Sequence, residues 1–193
     1  MFPVQGQRVP EIRLQGFDGE WEEKKLEEIV EISSGYTGDA SLSIGKYLLT
    51  RIETIASGII NLNKVGYSNT MPDKKYLLNN GDILFSNINS LAHIGKVAIF
   101  SDSCKIYHGI NLLRLVPRKV NSYFLYFQLT TVEKRNWAKS HANQAVNQAS
   151  INQKSLSNQI IMVSSLPEQE AIGDFFQTVD QLIQLQDQKL ATL

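Results

Sequence analysis

Two stretches of this sequence concentrate side chains that hydrogen-bond mostly without carrying charge. One is Ser86-Asn87-Ile88-Asn89-Ser90-Leu91-Ala92-His93-Ile94-Gly95-Lys96. The other runs from Lys139 through Ser140-His141-Ala142-Asn143-Gln144-Ala145-Val146-Asn147-Gln148-Ala149-Ser150. Asn and Gln can bond an adenine edge bidentately, Arg and Lys a guanine edge, and Ser and Thr either. With Thr50-Arg51 as a third group, the candidates for base-edge contact are Thr50, Arg51, Ser86, Asn87, Asn89, His93, Lys96, Lys139, His141, Asn143, Gln144, Asn147 and Gln148. The remaining lysines would hold phosphates. The plainer explanation of either stretch, taken singly, is a polar loop closing its own turns.

Motifs for catalysis are missing. There is no G-x-G-x-x-G, no Walker lysine and no G-x-S-x-G. Three histidines, at 93, 108 and 141, have no metal-ligand spacing, so neither metal nor cofactor is expected. Glu22-Glu23-Lys24 has the residue types of a nuclease site, but it falls in what reads as an acidic helix with no suitable upstream strand. Cys104 lacks a matched His/Asn arrangement and reads as a small buried hydrophobe. As the lone cysteine it excludes an intramolecular disulfide and fits a reducing, cytoplasmic setting. No apolar run has membrane-spanning length, and Met1-Phe2-Pro3-Val4-Gln5-Gly6 does not open a signal peptide.

The formal net charge is zero over 193 residues, but the zero is an average of unlike parts. Residues 1–31 hold eight acids against four bases, and residues 166–193 hold five against one. Residues 32–165 hold fourteen bases against six acids. A basic body between acidic flanks is a nucleic-acid footprint more than a metabolic-enzyme one.

The elements that must position these residues follow from patterning. Residues 1–20 read as an extended segment anchored by Val9, Ile12, Leu14 and Phe17, and Trp21 to Val30 as a short helix. Strand signals then dominate at 47–52, 59–60, 75–78, 82–86, 95–100 and 111–116. They are short, broken by Gly, Asn and Pro, and not separated by helices. That predicts an α+β fold, a mixed and mostly antiparallel β globule with flanking helices, rather than a doubly wound sheet. Asn121 or Ser122 caps the next helix, whose aromatics (Tyr123, Phe124, Tyr126, Phe127) read as core before they read as a base-stacking platform. Lys154-Ser155-Leu156 reads as a turn into a last strand at 159–163, and the polar run before it as irregular.

The chain ends in a long helix. Ser165 and Glu168 suggest a capping box, and Pro167 suits the first turn. Ile172, Phe176, Val179, Ile183, Gln186, Leu190 and Leu193 alternate steps of four and three, a heptad seam that Phe175 and Leu182 widen. The Gln-rich outer face carries almost no basic charge, so it suits neither DNA nor a membrane. Such a rod predicts pairing with another helix through Ile172, Phe175, Phe176, Val179, Leu182, Ile183 and Leu190.

Several patches together resemble the DNA-specificity subunit of type I restriction–modification systems. They are Val9-Pro10-Glu11-Ile12-Arg13 with Gly16-Phe17 and Trp21; Glu31-Ile32-Ser33-Ser34-Gly35; and Gly81-Asp82-Ile83-Leu84-Phe85-Ser86. Gln148-Ala149-Ser150-Ile151-Asn152 with Leu156 follow, and above all Leu166-Pro167-Glu168-Gln169-Glu170-Ala171-Ile172 running to Phe175-Phe176 and Asp180. The resemblance covers nearly the whole chain. It implies one target-recognition domain, residues 1–165, and one spacer helix, residues 166–193. It also implies a non-catalytic role: choosing one half of a bipartite site on double-stranded DNA, holding methyltransferase subunits there, and joining a restriction/translocase subunit.

Members of that family usually carry two recognition domains and two spacers. The opening of this chain is similar to what stands between their two halves. The expectation is the second half of a longer subunit, a natural half-subunit or a truncated one; a half-subunit would form a homodimer through its last helix, with Leu193 the point where a second half would begin. The competing expectations are a diverged nuclease or methyltransferase, and a helical interaction protein with no DNA role.

Overall fold

A computed structural model of the chain describes residues 1–4, 6–39, 41–146 and 148–191. The expected mixed, mostly antiparallel α+β globule with a long C-terminal helix is what the chain adopts. Its centre is a four-stranded antiparallel sheet in the order β2 (Val30–Ser34), β9 (Leu113–Pro117), β5 (Ile83–Phe85), β7 (Val97–Ile99). Alternate residues of these strands feed two separate cores. Ile83, Phe85, Leu113, Leu115 and Val97 face a large cluster with Trp21, Phe124, Leu125 and Ile172. Leu84 and Ala98 face a smaller one with Ile55, Phe100, Ile106 and Leu112. Burial on both faces favours the apolar runs that mark β5 and β7 in the sequence.

Three small sheets surround this centre. β3 (Tyr47–Leu49) pairs antiparallel with β4 (Gly66–Ser68) and parallel with β8 (Ile106–Tyr107). β6 (Ile88–Asn89) joins the hairpin β10 (Asn143–Ala145) and β11 (Gln148–Ser150). β1 (Glu22–Lys25) pairs with β12 (Ile160–Val163).

Several local expectations are corrected. Trp21–Val30 is not one helix: β1, a four-residue helix α1 (Leu26–Ile29) and β2 replace it, because pairing with β12 claims residues 22–25. Glu22-Glu23-Lys24 therefore lies on a strand, where Lys24 pairs with Glu22 at 2.7 Å on the surface. Residues 59–60 form no strand, and Lys74–Tyr76 is a 3-10 turn capped by Asp73, whose carboxylate accepts from the Lys75 N–H. The irregular run expected after His141 is the β10–β11 hairpin. Lys154-Ser155-Leu156 lies in a short helix, α4 (Gln153–Ser157), capped by Asn152. Val9 and Ile12 are exposed, whereas Leu14 packs on the large core as expected, joined by Phe2 and by buried Pro3 and Pro10.

Asn121 caps α2 (Ser122–Thr130), its side chain accepting from the N–H groups of Tyr123 and Phe124. Phe124 and Phe127 are core, as their helical spacing predicts. Thr131, in extended conformation, ends α2 and caps α3 (Val132–Ser140). Cys104 is half-buried against the smaller core.

The long helix α5 (Leu166–Ala191) is docked at one end and bare at the other. Its Glu168, 1% exposed, does not close a capping box, since both carboxylate oxygens accept from the Arg13 guanidinium at 2.7 and 2.8 Å. Gln169, also buried, accepts from the Asn121 N–H at 2.9 Å and donates to the Ser164 carbonyl at 2.7 Å. Phe2 stacks on Phe176 at 5.9 Å and meets Trp21 and Phe124 edge-on. Ile172 is buried and Phe176 half-buried, so the first turns of the seam cover their own domain. Phe175 and every residue from Asp180 to Leu190 are exposed. The heptad position Leu193 lies outside the described residues.

Arg13 is the only cation on the enclosed Glu168 carboxylate among the described residues. Arg13→Ala should lower the unfolding free energy by about 3 kcal/mol, the usual cost of stranding one partner of a buried pair. Urea midpoints measure it. In a double-mutant cycle with Glu168→Gln, the double variant should lose less than the two single losses added.

Candidate nucleic-acid interface

Ser34, Leu113, Phe85 and Val97 stand side by side across the central sheet. Beyond that row, all four strands run out at the same end. The chain leaving β5 there is Ser86-Asn87, and the chain entering β7 is Gly95-Lys96. The chain entering β9 is Asn111-Leu112, and beyond β2 Tyr36 bridges to Gly109. Gly109 in turn meets Thr50: its N–H donates to the Thr50 hydroxyl at 2.9 Å. The hairpin joins through β6, where Asn89 stands opposite Ala149 and Ile88 opposite Ser150. Three stretches far apart in sequence thus reach one end of one sheet. The start of α5 is beside Asn121, past the opposite end of β9.

The expected residues divide by what they already bond. Thr50 is 1% exposed, its hydroxyl committed to Gly109, so it faces the interior rather than a duplex. Ser86 is buried and its hydroxyl accepts from Asn89 Nδ2 at 3.1 Å. His141 stacks on Trp137 at 4.3 Å, and its Nδ1 sits 2.9 Å from the Trp137 carbonyl. Thr50 and Ser86 serve the scaffold, whereas His141 is exposed and bonds through Nδ1 alone. Asn87 ties β6 to the chain after β11, its Nδ2 donating to the Ile151 carbonyl at 3.3 Å while its backbone carbonyl accepts from the Ile151 N–H at 2.8 Å. Lys96 donates to the Ala56 carbonyl at 2.5 Å. Half-buried His93 leaves Nδ1 enclosed without a partner. Asn143, Gln144 and Gln148 are exposed along the hairpin. Among the described residues, Arg51, Lys96 and Lys139 form no ion pair, whereas Arg114, Arg118 and Lys134 are paired with Asp82, Glu31 and Glu133. Asn147 lies outside the described residues.

The sequence reading missed a cleft of about 230 Å³ at this same end, walled by Tyr36, Arg51, Tyr67, Ile110 and Asn111. Asn111 is the one described non-glycine residue with positive φ, at 70°. Asn tolerates that conformation better than most residues, and a strained exposed amide beside an exposed Ile110 belongs to a binding surface more often than to a core. A Gly-x-Asn triplet before a strand was the available signal. The loop is closed from below by His108, whose Nε2 lies 2.9 Å from the Leu112 carbonyl. Among the described residues no group of acids, histidines or cysteines could hold a metal ion.

A family model for the type I restriction modification DNA specificity domain matches residues 18–193. A Methanocaldococcus jannaschii protein, named as the type I restriction enzyme MjaX specificity subunit, is 40% identical over 171 residues. That match covers 85% of this chain and 40% of the relative. Among solved structures, the S subunit of a type I system from M. genitalium superposes with a TM-score of 0.65 at 15% identity. It covers 90% of this chain and 42% of that one. The HsdS subunit of Thermoanaerobacter tengcongensis gives 0.64 at 18%, covering 97% and 42%. The chain thus spans less than half the length of each of these proteins.

Two measurements test how this end is built. A Cβ on Gly109 would run into the Thr50 carbonyl oxygen, so Gly109→Ala should destabilise the fold by about 2 kcal/mol or more, read as a lowered urea midpoint. Burial pushes the His108 imidazole down to about 4, with Arg114 adding to the effect and the Leu112 carbonyl opposing it. The unfolded chain takes up that proton near 6.5, so stability present above 6.5 is lost as pH falls toward about 4. The loss approaches about 3 kcal/mol. Asp82, pushed up by burial, works in the opposite sense. His108→Gln, which keeps Asp82, should therefore flatten the acid limb relative to the wild type.

Proposed function

The chain belongs to the family of type I restriction–modification DNA specificity domains, and from that premise we propose that it reads one half of a bipartite site on double-stranded DNA. Residues 1–165 form the target-recognition domain and residues 166–193 the spacer helix. Specificity subunits of this family are not the catalytic subunits. Methyl transfer and cleavage fall to the methyltransferase and restriction/translocase subunits this chain would dock, and the working compartment would be the cytoplasm. Among the described residues no helix is long and apolar enough to cross a membrane.

The observation that carries the reading is the convergence of the uncharged polar stretches at one end of the central sheet, away from the point where α5 starts. Base-edge contact is assigned to Asn143, Gln144 and Gln148, and to Arg51 and Asn111 at the cleft, whereas the Asn89 amide is held by Ser86 and by the Ser90 N–H. Lys96 and Lys139 would hold phosphates. A half-site reader needs a second reader at a set distance, and the bare part of α5 offers the means: Phe175, Leu182, Ile183 and Leu190 are exposed apolar residues on a helix with no basic face. We assign this seam to the equivalent helix of a second copy, which would place two recognition domains about a two-fold axis on an interrupted palindrome.

Expected outcomes are specific. The chain with its methyltransferase subunits should bind a mapped target with an affinity that falls steeply with salt, and Lys96→Ala or Lys139→Ala should each reduce the salt slope by about one unit. Cleavage or methyl transfer by the chain alone would point to an enzyme instead. Leu182→Glu with Leu190→Glu should convert a sedimenting dimer to a monomer that keeps the circular-dichroism spectrum of the wild type, since these residues are 60% and 63% exposed in the single chain. A concentration-independent monomer in the wild type would remove the pairing.

A further inference from the structure

We infer that the β10–β11 hairpin is a two-stranded ribbon that enters the major groove of the half-site, with Val146 at its tip packed on the 5-methyl group of a thymine. The inference rests on the specificity role proposed above and assigns it a base pair and a contact. Val146 is 98% exposed, the barest of the large hydrophobics among the described residues, and Ala145 beside it is exposed too. A hydrophobic side chain held wholly in water at the end of a projecting element calls for an occupant. The hairpin is otherwise well rooted: Ala149 is buried in the large core, β11 pairs with β6, and the Ile151 N–H donates to the Asn87 carbonyl at 2.8 Å.

Charge identifies the occupant. From Ser140 to Gln153 there is no Asp, Glu, Lys or Arg, while Lys139 and Lys154 bracket the segment. Cations at the base and a neutral tip match a duplex, where phosphates flank the groove and its floor offers donors, acceptors and methyl groups. The major groove is wide enough for a two-stranded ribbon. Ala145 and Val146 alone are too small a patch for a stable protein interface. The tip also carries both halves of one code. The amides of Asn143, Gln144 and Gln148 suit adenine N6 and N7, and the apolar pair suits the thymine methyl, so the base pair read is A·T.

The test uses the chain in complex with its methyltransferase subunits, on duplexes carrying the site mapped by methylation. Each thymine of the half-site is replaced in turn by uracil, which removes only the methyl. One replacement should weaken binding about fourfold, the burial of one methyl-sized group. Val146→Ala should weaken binding to the thymine duplex by a similar factor and abolish the difference between thymine and uracil at that one position. It should leave the melting temperature unchanged. Specific binding that is insensitive to uracil at every position overturns the inference and leaves the recognition role standing. A uracil effect that persists in Val146→Ala also overturns it, because another group then reads the methyl. Absence of any sequence preference in the wild-type complex overturns the recognition role itself, and the inference with it.

Discussion

The register of the central sheet is the constraint on which the rest depends. Ile83 and Phe85 on β5 face one core, and Leu84 between them faces the other. Leu113 and Leu115 on β9 flank Arg114 in the same way, and Arg114 stands opposite both Leu84 and Ser33. A slip of one residue would turn the buried Arg114 into the large apolar core and swing Leu113 and Leu115 out of it. Arg114 is itself fixed by Asp82 at 2.5 Å and by the Lys75 carbonyl at 2.9 Å. The pair is less a source of net stability than a lock on register, since the two charges lose much of their hydration to form it. The same desolvation pushes the Asp82 carboxyl up despite its partner.

That register also places the proposed interface. The row Ser34, Leu113, Phe85, Val97 sets where four strands end, so it sets where the polar loops begin. The loops themselves are held by bonds among their own members: Gly109 to Thr50, Asn89 to Ser86, Ile151 to Asn87. Some polar residues therefore hold the platform so that others can be presented. At the other end, Arg13 and Phe2 clamp the first turns of α5 while the last turns stand clear. The helix is thus attached firmly at one end and leaves an apolar seam bare at the other.

Much of this was legible in the chain. β5, β7 and β9 announced themselves as short apolar runs, Asn121 as a cap, and residues 166–191 as one helix. The polar stretches stood out because uncharged hydrogen-bonding residues were gathered in an otherwise basic body. What was misread shares a cause. Glu22–Lys25 looked helical because it lies among Trp21, Leu26, Ile29 and Val30, which could share one helix face, yet a strand distant in sequence recruits it. The run 143–150 lacks β-branched periodicity, yet pairing with β6 makes it a hairpin. Glu168 had the spacing of a cap, yet the half-buried Arg13 takes both its oxygens in place of a local backbone N–H. In each case a long-range partner overrode a local preference worth about 1 kcal/mol or less.

By itself the sequence determined the fold class, the long helix, the absence of recognisable catalytic motifs and the kinds of side chain available for recognition, because these follow from periodicity, composition and residue chemistry. Only the tertiary structure decided which of those side chains are free. Thr50 and Ser86 have the right chemistry but spend it on neighbours, while Val146 and Asn111 are exposed at a hairpin tip and a strained turn. Availability depends on partners brought together across long stretches of chain, and no local pattern encodes it.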